Sequence, residues 1–154
     1  IKNENKAPYL SDKESGLMTH DRWALSGILR APIRFGHGVR GNLYYKEGSK
    51  GPLPVVVWLH PLSYHSGYNE GYGVQGTTVY HRLAQNGFAV IAYDQCGFGL
   101  RLLEGRDFYS KYPKWSRLGR MVMDARDAVS FAMDPKGNSK VSVPAMDKKR
   151  ISNI

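Results

Sequence analysis

A chain of 154 residues, 42% of them hydrophobic, is long enough for one domain with a packed core and too apolar for a disordered segment. Against 13 Asp and Glu stand 22 Lys and Arg, a net charge of +9, but the densest cluster is only Lys148-Lys149-Arg150 and no nucleic-acid motif accompanies it, so the charge reads as a solvated basic surface with no nucleic-acid partner. No apolar run approaches the roughly 20 residues that cross a bilayer, which argues against a membrane partner, and the single cysteine, Cys96, excludes an internal disulfide and a Cys-pair zinc site.

Residues 1 to 20 are polar, carry Pro8, Ser11, Asp12 and Ser15, and read as an irregular N-terminal arm. The chain opens on Ile1, so a missing signal peptide leaves the compartment open. Residues 23–35 and 39–46 read as two strands, punctuated by Gly36-His37-Gly38. Residues 47–54 are a turn. From Val55 to Leu59 runs an unbroken β-branched and aromatic stretch, the signature of a strand buried on both faces in a parallel sheet.

Residues 77–87 read as a helix with Val79, Tyr80 and Leu83 on one face and Gly87 as its C-terminal stop. "FAVIAYD" is a second doubly buried strand, ending at Asp94. Residues 95–115 are a long loop. Residues 116–133 form the clearest helix: Ser116 caps it, and Leu118, Met121, Val122, Ala125, Val129, Ala132 and Met133 repeat at spacings of three and four as a core-facing stripe. After a connector, "RISNI" opens a further strand. The order of elements predicts an α/β fold with a mostly parallel sheet and flanking helices.

The loop after Leu59 carries the chemistry. Gly71, Gly73 and Gly76 match G-x-G-x-x-G, a helix follows, and Asp94 ends the next strand, where an acidic residue would hold a ribose. That fingerprint requires its first glycine to turn directly off the strand, setting the helix N-terminus under the pyrophosphate. Here Pro61, Tyr64, His65 and Tyr68 intervene between His60 and Gly71, and this geometry argues against an NAD-binding oxidoreductase. The other reading starts from His60-Pro61 at the strand's carboxyl end, where open α/β sheets bind ligands. A loop leaving there aims a backbone N–H at a developing oxyanion. Pro61 has no N–H, so Leu62 is the first candidate donor and the Tyr64 hydroxyl a second. His60 reads as an anchor of the loop, not a base, and Cys96 as a small buried residue, not a nucleophile.

"PVVVWLHPLS" followed by "GFAVIAYDQCGFGLR" resembles the front half of an α/β-hydrolase, in which a strand ends in His-Gly-x or a variant and a later strand ends in Asp-x-x-Gly-x-Gly. The matching positions are His60-Pro61-Leu62 and Asp94, Gly97 and Gly99. "FYSKYPKWSRLGRMVMDARDAVSFA" and "DKKRI" are similar, more narrowly, to the acetyl xylan esterase and dienelactone hydrolase group, which shares its fold with prolyl-oligopeptidase-type peptidases.

The resemblance covers residues 23–151 and implies that residues 21–154 are the N-terminal half of such a domain, ending before its nucleophile elbow. It implies an oxyanion donor at Leu62, with Pro61 departing from the family's Gly, and structural roles for Asp94, Gly97 and Gly99. Arg101 is a candidate substrate contact, with a salt bridge as its plainer use. Tyr64, Tyr68, Tyr72 and Trp115 are candidates for a sugar platform, with core packing the plainer use of Trp115. No metal and no organic cofactor is implied.

No G-x-S-x-G occurs in the 154 residues, and every histidine lies upstream of where the family's catalytic one belongs. The implied activity is serine-type hydrolysis of an acylated carbohydrate or small ester, with no triad residue present. A peptidase of the same fold and a non-catalytic binding module are the alternatives. In the family's sheet the third strand lies between the fourth and the fifth. The expectation is therefore an exposed edge along Val55 to Leu59, covered by the remainder of the domain or by a partner chain.

Overall fold

The computed structural model describes residues 27–61, 66–68, 78–135 and 144–154. The arm at residues 1–20, and the first residues of the strand expected from 23, lie outside them. β1 (Ile28–Phe35) and β2 (Val39–Lys46) form an antiparallel hairpin, paired from Phe35↔Val39 to Ile28↔Lys46. Gly36 and Gly38 turn the chain with φ of 53° and 86°, conformations that cost glycine little. Pro32 is tolerated because β1 is the sheet's edge and one missing N–H there breaks no second ladder.

β3 (Leu53–Trp58), β4 (Ala89–Tyr93) and β5 (Met146–Asn153) complete a five-stranded sheet in the order β1-β2-β4-β3-β5. β2 pairs with β4 antiparallel, whereas β3 pairs with both β4 and β5 parallel. The sheet is thus mixed, and the expected mostly parallel sheet is not what forms. An apolar run reports that a strand is buried, not which way its neighbour runs, and the hairpin contributes the antiparallel pairings. The expected exposed edge at Val55 to Leu59 is also corrected. Val55, Val56 and Val57 pair with Ile151, Ser152 and Asn153, and Leu59 N–H donates to the Ile154 carbonyl at 2.7 Å. Among the described residues the edge strand beyond β3 is therefore β5.

Right-handed crossovers set the layers. β3 to β4 steps one way across the sheet and β4 to β5 steps back, so α1 (Val79–Gln85) and α4 (Arg117–Met133) lie on opposite faces. Strand alternation divides the core accordingly. Val55, Val57, Ala89, Ile91 and Tyr93 meet Ala128, Phe131 and Ala132 of α4. Val56, Trp58, Val90 and Ala92 meet Tyr80 and Ala84 of α1. Each large side chain buried here contributes about 1.5–3 kcal/mol of transfer free energy, which is why β3 and β4 carry no polar residue within their spans.

α1 buries Tyr80, His81 and Ala84, not the expected Val79, which is exposed. The Tyr80 and His81 rings pack on Tyr44, and that contact sets the helix's rotation. Gly87 ends α1 as expected: its N–H reaches the Ala84 carbonyl and Phe88 N–H reaches that of Leu83, the paired bonds of a Schellman cap. The segment expected as a long loop holds a 3₁₀ turn (Gly99–Arg101) and two short helices, α2 (Leu102–Arg106) and α3 (Phe108–Lys111), each too short to show a period. Ser116 caps α4 as expected, its hydroxyl accepting from Gly119 N–H at 2.9 Å. The buried face of α4 is Asp124, Ala128, Phe131 and Ala132. Of the expected stripe, Leu118, Val122 and Met133 are 70%, 62% and 48% exposed.

Candidate functional site

Adjacent parallel strands whose connections leave to opposite faces open a crevice at their carboxyl ends. β3 and β4 meet that condition, since their connections lead to α1 and α4 on opposite faces. The residues that end the two strands, His60-Pro61 and Asp94-Gln95, face each other there.

His60 is 4% exposed, and both ring nitrogens are engaged. Gln95 backbone N–H donates to Nε2 at 3.1 Å, so Nε2 carries no proton. Nδ1 lies 2.8 Å from the Pro61 carbonyl, which accepts only, so Nδ1 carries the proton. This fixes a neutral tautomer with no free nitrogen to act as a base. The Gln95 side-chain amide donates back to the His60 carbonyl at 2.8 Å, and the Phe98 ring stands edge-on to the imidazole. His60 is an anchor between the loops leaving β3 and β4.

Asp94 ties the same loops from beneath. One carboxylate oxygen accepts from Tyr68 N–H at 2.9 Å and the other from Leu100 N–H at 2.8 Å. Gly67 and Gly99, both at positive φ, lie so close to this carboxylate that a β-carbon at either would overlap it. Burial raises the Asp94 pKa, and the two backbone N–H groups oppose that rise. With both oxygens used internally, Asp94 is built as a loop clamp and not as a ribose ligand.

Arg101 does not face open solvent. It donates to both Glu104 oxygens at 2.7 and 3.0 Å, to Asp124 at 2.7 Å and to the Asp94 carbonyl at 3.0 Å. Arg120 adds its guanidinium 3.2 Å from Asp124 and 3.4 Å from Glu104. Burial opposes the Arg101 charge, but Asp124 and Glu104 more than offset it and raise its pKa. Burial also raises the Asp124 carboxyl, with Arg101 and Arg120 pulling it down. The alternating cluster pins α2 and α4 under the end of β4. Neither Asp124 nor Gln95 stood out in the sequence. Asp124 carried a signal, since it is four residues before Ala128 and seven before Phe131 on one helical face. Gln95 carried none.

Tyr68 is a core residue here, its hydroxyl accepting from Asn42 at 2.6 Å and its ring packing edge-on to Tyr80. Trp115 is half-buried, at the turn that leads into α4. Leu62, Tyr64 and Tyr72, like Gly71, Gly73 and Gly76 of the dinucleotide pattern, lie outside the described residues. Cys96 is fully buried, and burial, with Glu104 adding to it, pushes its thiol up to about 11, far from a reactive thiolate. Among the described residues no group of three or more His, Cys, Asp or Glu is arranged to hold a metal, and no helix is long and apolar enough to cross a membrane. Comparison with protein-family models, with curated proteins and with solved structures finds no match.

Proposed function

We propose that this chain is the oxyanion-loop half of a serine-type carboxylic ester hydrolase of the α/β-hydrolase fold. The observation that carries the reading is the sheet order, with β3 between β4 and β5 and a hairpin outside β4. Because β5 runs parallel to β3, a residue that follows β5 emerges at the carboxyl edge that holds His60 and Asp94. That is the position of the nucleophile in this fold. The flank beyond β5 supports the same reading. β5 has no outer neighbour among the described residues, and α4 beside it exposes Leu118, Val122 and Met133. A further strand and helix from the rest of the domain would cover both.

On this reading the serine oxygen attacks the ester carbonyl, the alcohol leaves, and water hydrolyses the acyl-enzyme. The loop after Pro61 supplies backbone N–H groups to the tetrahedral oxyanion, with Leu62 first in line. An acylated carbohydrate or small ester is the substrate class. The test is saturable hydrolysis of p-nitrophenyl acetate by the protein as its gene encodes it. Preference for a prolyl peptide would move the assignment to the peptidases of this fold. Binding of an acylated sugar without turnover of either substrate would overturn the enzyme reading.

A further inference from the structure

We infer that the face of the β1–β2 hairpin on the α1 side is a binding surface for an anionic polysaccharide, one whose sugar units carry carboxylates. The inference goes beyond the ester-hydrolase reading and rests on it only in making that polymer the acylated substrate. Residues 28–46 contain no Asp or Glu, yet they carry Arg30, Arg34, Arg40 and Lys46. All four lie on one face, because side chains alternate along a strand. Ala31, Ile33, Phe35, Val39 and Leu43 face α4 in the core, and the basic residues take the alternate positions, on the side of Tyr44 and α1. The register sets Arg34 directly opposite Arg40 and Arg30 opposite Tyr44. Arg30, Arg34 and Lys46 are exposed, and Arg40 is half-buried. Two guanidiniums side by side on one face repel each other and favour an anion between them. Arg30 and Arg34 are four residues apart, about 13 Å along the strand, a reach that suits a linear polymer and exceeds a single small anion.

The stripe also leads to the crevice. β2 neighbours β4, with Gly41 opposite Tyr93, so the Arg34–Arg40 end of the hairpin stands at the edge that carries Asp94. A polymer laid along β1 is thereby led toward His60 and Asp94. The side chains decide its class. Guanidinium forks match carboxylates with two parallel hydrogen bonds. A single-stranded nucleic acid binds by stacking its bases on exposed aromatic rings, and Tyr44, the ring opposite Arg30, is buried.

The experiment titrates the protein, as its gene encodes it, with polygalacturonate in a calorimeter, with neutral dextran as the control. Saturable binding to polygalacturonate that weakens with added salt, and none to dextran, is the expected result. Arg30→Gln combined with Arg34→Gln removes two exposed charges and is expected to lower the affinity about tenfold, the scale of losing charge-assisted hydrogen bonds at a surface. Lys148→Gln combined with Lys149→Gln removes the same charge from β5, across the sheet from β1, and is expected to change the affinity by less than about twofold. Equal losses in the two double variants would overturn the inference, since net charge would then account for the binding. So would an unaltered affinity in the hairpin variant, or tighter binding to single-stranded DNA than to polygalacturonate at the same salt. Hydrolysis of p-nitrophenyl acetate judges the ester-hydrolase reading separately. Binding without ester hydrolysis would overturn that reading and leave the polysaccharide surface standing, and hydrolysis without binding would do the reverse.

Discussion

Two buried side chains give the sharpest residue-scale expectations. Cys96 is enclosed beside Glu104, and its thiol, pushed up to about 11, stays protonated at ordinary pH. It should react with Ellman's reagent near pH 8 only after the protein is unfolded. Its pKa is raised in the folded state, so its share of stability is complete below the ordinary value of 9.0 and is lost as pH rises through about 11. The stability difference between wild type and Cys96→Ala, followed by urea unfolding, should shift against wild type across that window. Asp124 is the second case. Removing it leaves Arg101 and Arg120, whose side chains are only 12% and 11% exposed, with one carboxylate between them. Asp124→Ala should lower the unfolding free energy by about 3–5 kcal/mol, as expected when a buried charge loses its partner. A loss near zero would mean that the cluster is solvated.

At the scale of elements, α4 depends on Ser116, whose hydroxyl satisfies an otherwise orphaned N–H at the helix start. Ser116→Ala should cost about 1 kcal/mol in chemical denaturation, and Ser116→Asp much less. This cap was legible in the sequence, as were β2, the two buried strands, the Gly87 stop and the second half of the final strand, whose first residues, 146–149, read as connector. Each is encoded by neighbours within a few residues. What stayed hidden depends on contacts made across the fold. The direction of β2 against β4 leaves no trace in either strand's composition. The buried face of α4 departs from the apolar stripe because Asp124 is polar in sequence yet lies inward under Arg101, while Leu118 and Val122 are apolar yet exposed. The rotation of α1 departs from its apolar pattern for the matching reason, since His81 is buried against Tyr44 and Thr78. In the candidate site, His60 as an anchor could be read from its place after an apolar run, whereas Gln95 is recognisable only once both strand ends stand side by side.

At the scale of the whole molecule, the two flanks of the sheet differ in chemistry. On one side, the edge strand β1 carries exposed arginines and Pro32, residues that discourage further pairing. On the other side lie the rim of β5, which has no outer neighbour among the described residues, and the exposed apolar residues of α4. Residues 1–154 expressed alone should therefore self-associate with rising concentration in sedimentation. Lys substitutions at Leu118 and Val122 together should suppress that association while leaving the melting temperature within a few degrees, because neither side chain is in the core. A cooperatively melting monomer at high concentration would contradict this.

The hydrolase account is tested most directly by a fluorophosphonate probe applied to the protein as its gene encodes it, with the labelled residue located by mass spectrometry. The hydrolase reading predicts one labelled serine, outside residues 1–154. Absence of labelling, or a label on a serine within these residues, would contradict it.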